Sequence, residues 1–159
     1  PVMFANFAAG GDEKVYGAID TYDALSALLT RKLSEYNEVN ATMDLVLFQA
    51  AMEHIVRISR IIDSPRGNAM LVGVGGSGKQ SLSRLSAFIS GYSTFQIKLS
   101  PTYGIADFKL DLLSLYTKVG LKSEQMVFLF TDQQIFQETV LVYFNNFLSS
   151  GIILSLIHI

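Results

Sequence analysis

Residues 73–81 read GVGGSGKQS, and the fold turns on how that stretch is read. It follows a short apolar run, AMLVGV (69–74), and opens a segment, 79–90, in which Leu82, Leu85 and Ile89 recur at helical spacing. A strand, a glycine-rich turn and a helix, with Gly73, Gly78 and Lys79 at the G-x-x-x-x-G-K positions, make a cradle for phosphate. Gly75, Gly76 and Gly78, with Ser77 among them, are expected to give the backbone conformations closed to other residues, so that successive N–H groups turn inward. The helix N-terminus adds its partial positive charge, and Lys79 is expected to reach the β- and γ-phosphates of a nucleotide. A glycine-rich turn with a merely solvated lysine explains the glycines but not the strand, the helix and the placement of Lys79. One residue departs from the pattern. Gln80 stands where a hydroxyl normally ligates Mg²⁺, and Ser81 comes one position late. A Gln amide oxygen can ligate a hard cation with a different reach, so nucleotide binding survives this change more easily than metal placement does.

A phosphate loop also needs an acid at the end of a nearby apolar strand to hold the metal. MVFLFTDQQ (126–134) supplies Asp132 after such a run. A helix-capping role is the plainer reading of Asp132, and the two are compatible. The next residue is Gln133, in the position where hydrolysing ATPases of the AAA+ type usually carry a glutamate that polarises water. A neutral amide takes up no proton, and loss of a positioned base costs ~10²–10⁴ in rate. Gln80 and Gln133 together point to a site that binds ATP or ADP with Mg²⁺ and turns it over slowly or not at all.

Around these motifs the chain alternates. Residues 1–19 read as loop. Helices are expected from Thr21 to about Tyr36 (Leu25, Leu28, Leu29 and Leu33 on one face, Asp20 or Thr21 as cap) and from about Leu45 to Ile62, with NEVNATMD between them and Pro65 ending the second. Then come three strand–helix units. The strands are 69–74, Thr94–Leu99 and 126–131. The helices are 79–90, 105–120 (Phe108, Leu112, Leu115 and Tyr116 inward, Gly120 as C-cap) and Gln134 to about Leu148 (Ile135, Val142 and Phe147 among the apolar positions). Strand–helix alternation predicts an α/β fold with a parallel sheet flanked by helices.

Composition narrows the function. The chain has 159 residues, half of them apolar and only 16% charged, which fits a folded core. A net charge of −2 offers no basic excess for nucleic acid. No apolar run approaches a membrane span. With no cysteine there are no disulfides or thiolate metal sites, which fits a cytoplasmic setting. His54 belongs to no metal constellation, His158 lies near the end of the chain, and Asp107 and Asp111 suit a solvated helix face.

With these residues in hand, the chain resembles an axonemal dynein heavy chain in its fourth AAA+ module. The resemblance rests on SPRGNAMLVGVGGSGKQSLSRLSAFIS, YNEVNATMDLVLF, FQIKLSPTYGIADFKLDL and VFLFTDQQI, spans about residues 3–151, and looks nearest to the outer-arm β-type chains. Gln80 is part of that pattern. The resemblance implies a P-loop NTPase (AAA+) large subdomain and a regulatory nucleotide site in a microtubule motor of the axoneme. It implies neighbouring AAA+ modules of the same chain, microtubules, and intermediate and light chains as partners. Gly73 to Gln80 then carry over as the phosphate loop, Asp132 as the metal-side acid, and Gln133 as the residue in the catalytic glutamate position. The expected organisation is a linker over 1–19, a partial module over 20–151 and a non-native tail over 152–159. LSLIHI (154–159) can be encoded by a string resembling a transposon adapter, although it also suits an apolar strand. In the AAA+ strand order 5-1-4-3-2 the phosphate-loop strand sits between strands expected beyond this stretch, so exposed edges are anticipated. A stand-alone nucleotide-dependent binding module is the rival reading. A small phosphate-loop kinase is weaker still, for want of a second-substrate site.

Overall fold

The computed structural model describes residues 3–9 and 14–150, which fall into two compact units, Pro1–Tyr92 and Ser93–Ile159. The tail expected over 152–159, with LSLIHI and His158, lies outside the described residues.

In the first unit the N-terminal stretch is not simply loop. Strands β1 (Met3–Ala5) and β2 (Gly17–Ile19) pair antiparallel, Met3 opposite Ile19 and Ala5 opposite Gly17. Their inward residues, Ala5 and Ile19, are buried in the first core, a pairing that Gly10-Gly11 and the lack of a sustained period concealed. Helix α1 (Tyr22–Val39) starts where Thr21 Oγ1 accepts from the Ala24 amide at 3.2 Å and runs three residues past Tyr36. Helix α2 (Gln49–Asp63) starts four residues later than expected, because residues 42–48 are extended rather than helical. In that stretch Met43, Leu45 and Leu47 are half-buried against the core while Asp44, Val46 and Phe48 face out, a period of two that helix cannot supply. Helix α3 (Lys79–Ile89) packs on α2, and Leu82 and Leu85 join Met52, Ile55 and Val56 in one core with Leu25 and Leu29 of α1. At the end of α2, Asp63 accepts from Lys14 Nζ at 2.8 Å, Ser90 Oγ at 3.3 Å and the Asn6 amide, tying the N-terminal ribbon to the ends of α2 and α3.

Residues 69–74 form no strand. Met70, Val72 and Val74 are 91, 85 and 79% exposed. Strand geometry requires a neighbouring strand for the backbone N–H and C=O groups, and the apolar run pairs with none among the described residues. The run is exposed without forming the edge strand anticipated from the strand order.

The second unit is a parallel β–α–β unit. Strands β3 (Ser93–Phe95) and β4 (Met126–Phe128) pair Ser93 with Met126 and Phe95 with Phe128, and α4 (Ile105–Gly120) crosses between them. Both strands are shorter than the sequence suggests. Past Phe95 the chain leaves the ladder, and the Ile97 carbonyl instead accepts from a side chain, Gln134 Nε2, at 2.5 Å. Gly120 is the last residue of α4 and Leu121 the C-cap, in right-handed helical conformation, so glycine's freedom is not what ends this helix. Phe108 and Leu112 are buried as expected, whereas Tyr116 is exposed. The last helix does not begin at Gln134. A 3₁₀ turn spans Asp132–Gln134 and α5 runs from Thr139 to Ser150. Its inward residues are Val140, Tyr143, Phe144 and Phe147, while Ile135 and Val142 are exposed. The Phe108 ring lies 5.6 Å from Tyr143 and 6.2 Å from Phe136 and Phe144, making an aromatic hub.

Candidate functional site

The phosphate-loop candidates fall on one turn of the first unit. Pro65 and Gly67 end α2, with the Gly67 amide bonded to Ser64 O at 2.9 Å and no room for a side chain, since a Cβ would lie 1.6 Å from Ile61 O. The chain then runs out to Gly73 and turns. Gly76 and Gly78 both have φ of +75°, the left-handed region that glycine enters without strain. Gly75 does not, contrary to expectation, and open space surrounds the position of its missing Cβ. Gly78 is the N-cap of α3, so Lys79, Gln80 and Ser81 form the helix's first turn, where amides lack intrahelical partners.

Lys79 is not a solvated lysine. Its Nζ donates to Gly73 O and Val74 O, both at 2.7 Å, and to Ser77 Oγ at 3.2 Å, which holds the ammonium over the start of the loop. These are neutral acceptors, and a phosphate oxygen makes a roughly twofold stronger charge-assisted bond to the same group. Gln80 is exposed at the second helical position, and Ser81 is half-buried. Ser81 and Arg84 share a cavity of about 440 Å³ with Tyr36 and residues 41–44. A Leu45 methyl lies 3.6 Å from where a Cβ on Gly78 would sit, so the extended 43–48 stretch borders the loop itself.

The acid candidate belongs to the second unit. Asp132 and Gln133 are exposed in the 3₁₀ turn that follows β4. Asp132 is not the cap of α5, which begins seven residues on. The turn is set by Gln134, a residue the sequence placed at the start of a helix. Gln134 is buried. Its Oε1 accepts from Thr131 N at 2.9 Å and Thr131 Oγ1 at 3.3 Å, while Nε2 donates to Ile97 O. One amide thereby joins the exits of both strands and presents Asp132 and Gln133 outward. Only the polar residue closing an apolar strand hinted at this.

Other candidates have structural duties. Asp107 accepts from the Gly104 amide at 2.9 Å at the start of α4, and Asp111 accepts from Tyr103 Oη at 2.5 Å. Burial first, then the Asp111 bond, pushes the Tyr103 phenol well above its usual range. His54 is exposed on α2. Among the described residues no three His, Cys, Asp or Glu side chains gather as metal ligands, and no helix is long and apolar enough to cross a membrane.

The profile of the P-loop containing dynein motor region D4 matches residues 43–159, the stretch that contains the loop, the lysine and the acid turn. The chain belongs to the dynein heavy-chain family. It is 58% identical to the β chain of the flagellar outer arm of Chlamydomonas reinhardtii over 98% of its length. It is 53% identical to the outer-arm α chain of that organism and 53% identical to dynein axonemal heavy chain 17 of Homo sapiens, each over 95% of its length. The chain spans only 3–4% of these relatives, which places it within one AAA+ region of the dynein motor, of α/β P-loop NTPase class.

Proposed function

We propose that this dynein segment is a nucleotide-binding, regulatory AAA+ site of an axonemal motor that binds ATP or ADP with Mg²⁺ and hydrolyses slowly. The observation that carries the reading is the loop itself. Two left-handed glycines open a helix, and a lysine ammonium is fixed over the loop by three acceptors. Gly73, Gly75, Gly76, Ser77, Gly78 and Lys79 take the phosphates, with the α3 amides of Gln80 and Ser81 behind them. The extended stretch beside Gly78, with Val46 and Phe48 exposed, offers apolar surface and unpaired backbone to the nucleoside end.

Mg²⁺ characteristically keeps several waters and takes one or two protein oxygens plus substrate phosphates. Asp132 and the Gln80 amide are the proposed protein oxygens. Gln133 leaves no base, which supports slow turnover. Neighbouring AAA+ modules, microtubules, and intermediate and light chains are the proposed partners and the cytoplasm and axoneme the proposed setting, the axoneme following the flagellar and axonemal names of the relatives.

Calorimetric titration of the chain tests the reading. ATP is expected to bind, and Lys79→Ala to weaken it at least ~10-fold, as loss of a charged hydrogen-bond partner does. Equal affinity in the variant would refute the loop assignment.

A further inference from the structure

We infer that Asn37 is a positioning residue that fixes the 43–48 stretch as the nucleoside-side wall of the site, and so sets the preference for a nucleotide over a bare polyphosphate. The inference rests on the nucleotide-binding reading and deepens it.

The stretch between α1 and α2 has no helix or ladder bonds to hold its backbone. Besides core packing, its backbone is held at the α1 end by the side chain of Asn37. Asn37 Oδ1 accepts from Met43 N at 2.8 Å, and Asn37 Nδ2 donates to Met43 O at 3.2 Å. The amide meets both polar groups of one residue, as a paired strand would. From that anchor, Leu45 and Leu47 turn inward and Asp44, Val46 and Phe48 outward. Leu45 reaches the last glycine of the phosphate loop, with its methyl 3.6 Å from the Cβ position of Gly78. Met43 and Asn37's helical neighbour Tyr36 line the cavity shared with Ser81 and Arg84. A one-residue slip of this stretch would exchange its inward and outward faces, because side chains alternate in extended chain. Asn37 therefore acts on the register of the wall. The loop's own contacts, Lys79 to Gly73, Val74 and Ser77, do not pass through it.

Titration of the full chain with ATP and with inorganic tripolyphosphate separates the two ends of the site. Asn37→Ala loses both bonds. Asn37→Asp keeps the acceptor and loses the donor at nearly the same volume. Both are expected to weaken ATP ~10-fold, the scale of one or two lost hydrogen bonds, and to leave tripolyphosphate within about twofold. Lys79→Ala is expected to weaken both ligands. A merely structural role for Asn37 would lower the two affinities together, and that result, or no change in either, overturns the inference while leaving the loop assignment standing. If the unsubstituted chain binds neither ligand, the nucleotide reading and this inference both fall. Hydrogen exchange on the unsubstituted chain covers the case in which the variants do not fold. ATP should protect the amides of 43–47, and tripolyphosphate only those of 75–80. Equal protection of 43–47 by both ligands, or none by ATP, counts against Asn37's role.

Discussion

At the scale of single residues, the glycines of the first unit are not equivalent, and the difference is measurable. Gly67 has backbone where a Cβ would go, 1.6 Å from Ile61 O, whereas Gly75 faces open space with φ outside the left-handed region. Gly67→Ala should destabilise by at least ~1–3 kcal/mol, the usual cost of forced overpacking. Gly75→Ala should stay within about ±0.5 kcal/mol. Chemical denaturation of the two variants checks the contrast, and equal midpoints would mean that the turn after α2 accommodates a methyl group at Gly67. Gln133 carries a different kind of test. Placing Gln133→Glu in a full heavy chain is expected to leave nucleotide affinity at this module within a few-fold. Hydrolysis there should rise toward the ~10²–10⁴ that a positioned base supplies. Ordinary hydrolysis rates with Gln133 in place would end the slow-site proposal.

At the scale of elements, helices were the most legible part of the chain and their ends the least. Period and capping chemistry located α1, α3 and α4, because Thr21 caps, Gly78 opens a helix and Leu25, Leu29, Leu82, Leu85, Phe108 and Leu112 are all buried. The starts of α2 and α5 differ from the expected ones. In 42–48 the chain is extended, with the Asn37 side chain holding the Met43 backbone, and before α5 the Gln134 side chain bonds Thr131 and the Ile97 carbonyl in a 3₁₀ turn. The packing of α1 on α2 has a pH signature. Tyr22 Oη donates to Glu53 Oε1 at 2.7 Å, and this bond, first among the causes, lowers the Glu53 pKa and raises that of Tyr22. A lowered carboxylate pKa contributes stability that is present above the unfolded value and lost as pH falls through the folded one. A raised phenol pKa contributes stability that is present below the unfolded value and lost as pH rises through the folded one. The pair is thus worth most between the ordinary carboxylate and phenol ranges. Tyr22→Phe should lower the thermal midpoint near neutrality and flatten its decline on both sides. An unchanged pH profile would show that the bond carries no linkage.

At the scale of the whole molecule, each unit has its own core, one built on aliphatic residues of α1, α2 and α3 and the other on the Phe108 aromatic hub. The stretch 69–74 belongs to no sheet, so its amides should exchange within the fastest class while those of α2 and α3 are the slowest. Strong protection of Met70 to Val72 would show that the run is paired after all. The sequence by itself determined the α/β class, the glycine-rich turn that opens α3 and the acid after an apolar strand, because those features are local. Helical period and residue spacing depend on neighbours a few positions away. Tertiary structure alone decided which glycines are left-handed, that Asp132 sits on a 3₁₀ turn, and that Asn37 and Gln134 hold the flanking backbone. A side-chain amide bonds whatever backbone group the fold brings to it, here the carbonyl of Ile97 for Gln134, and composition and periodicity carry no record of that partner.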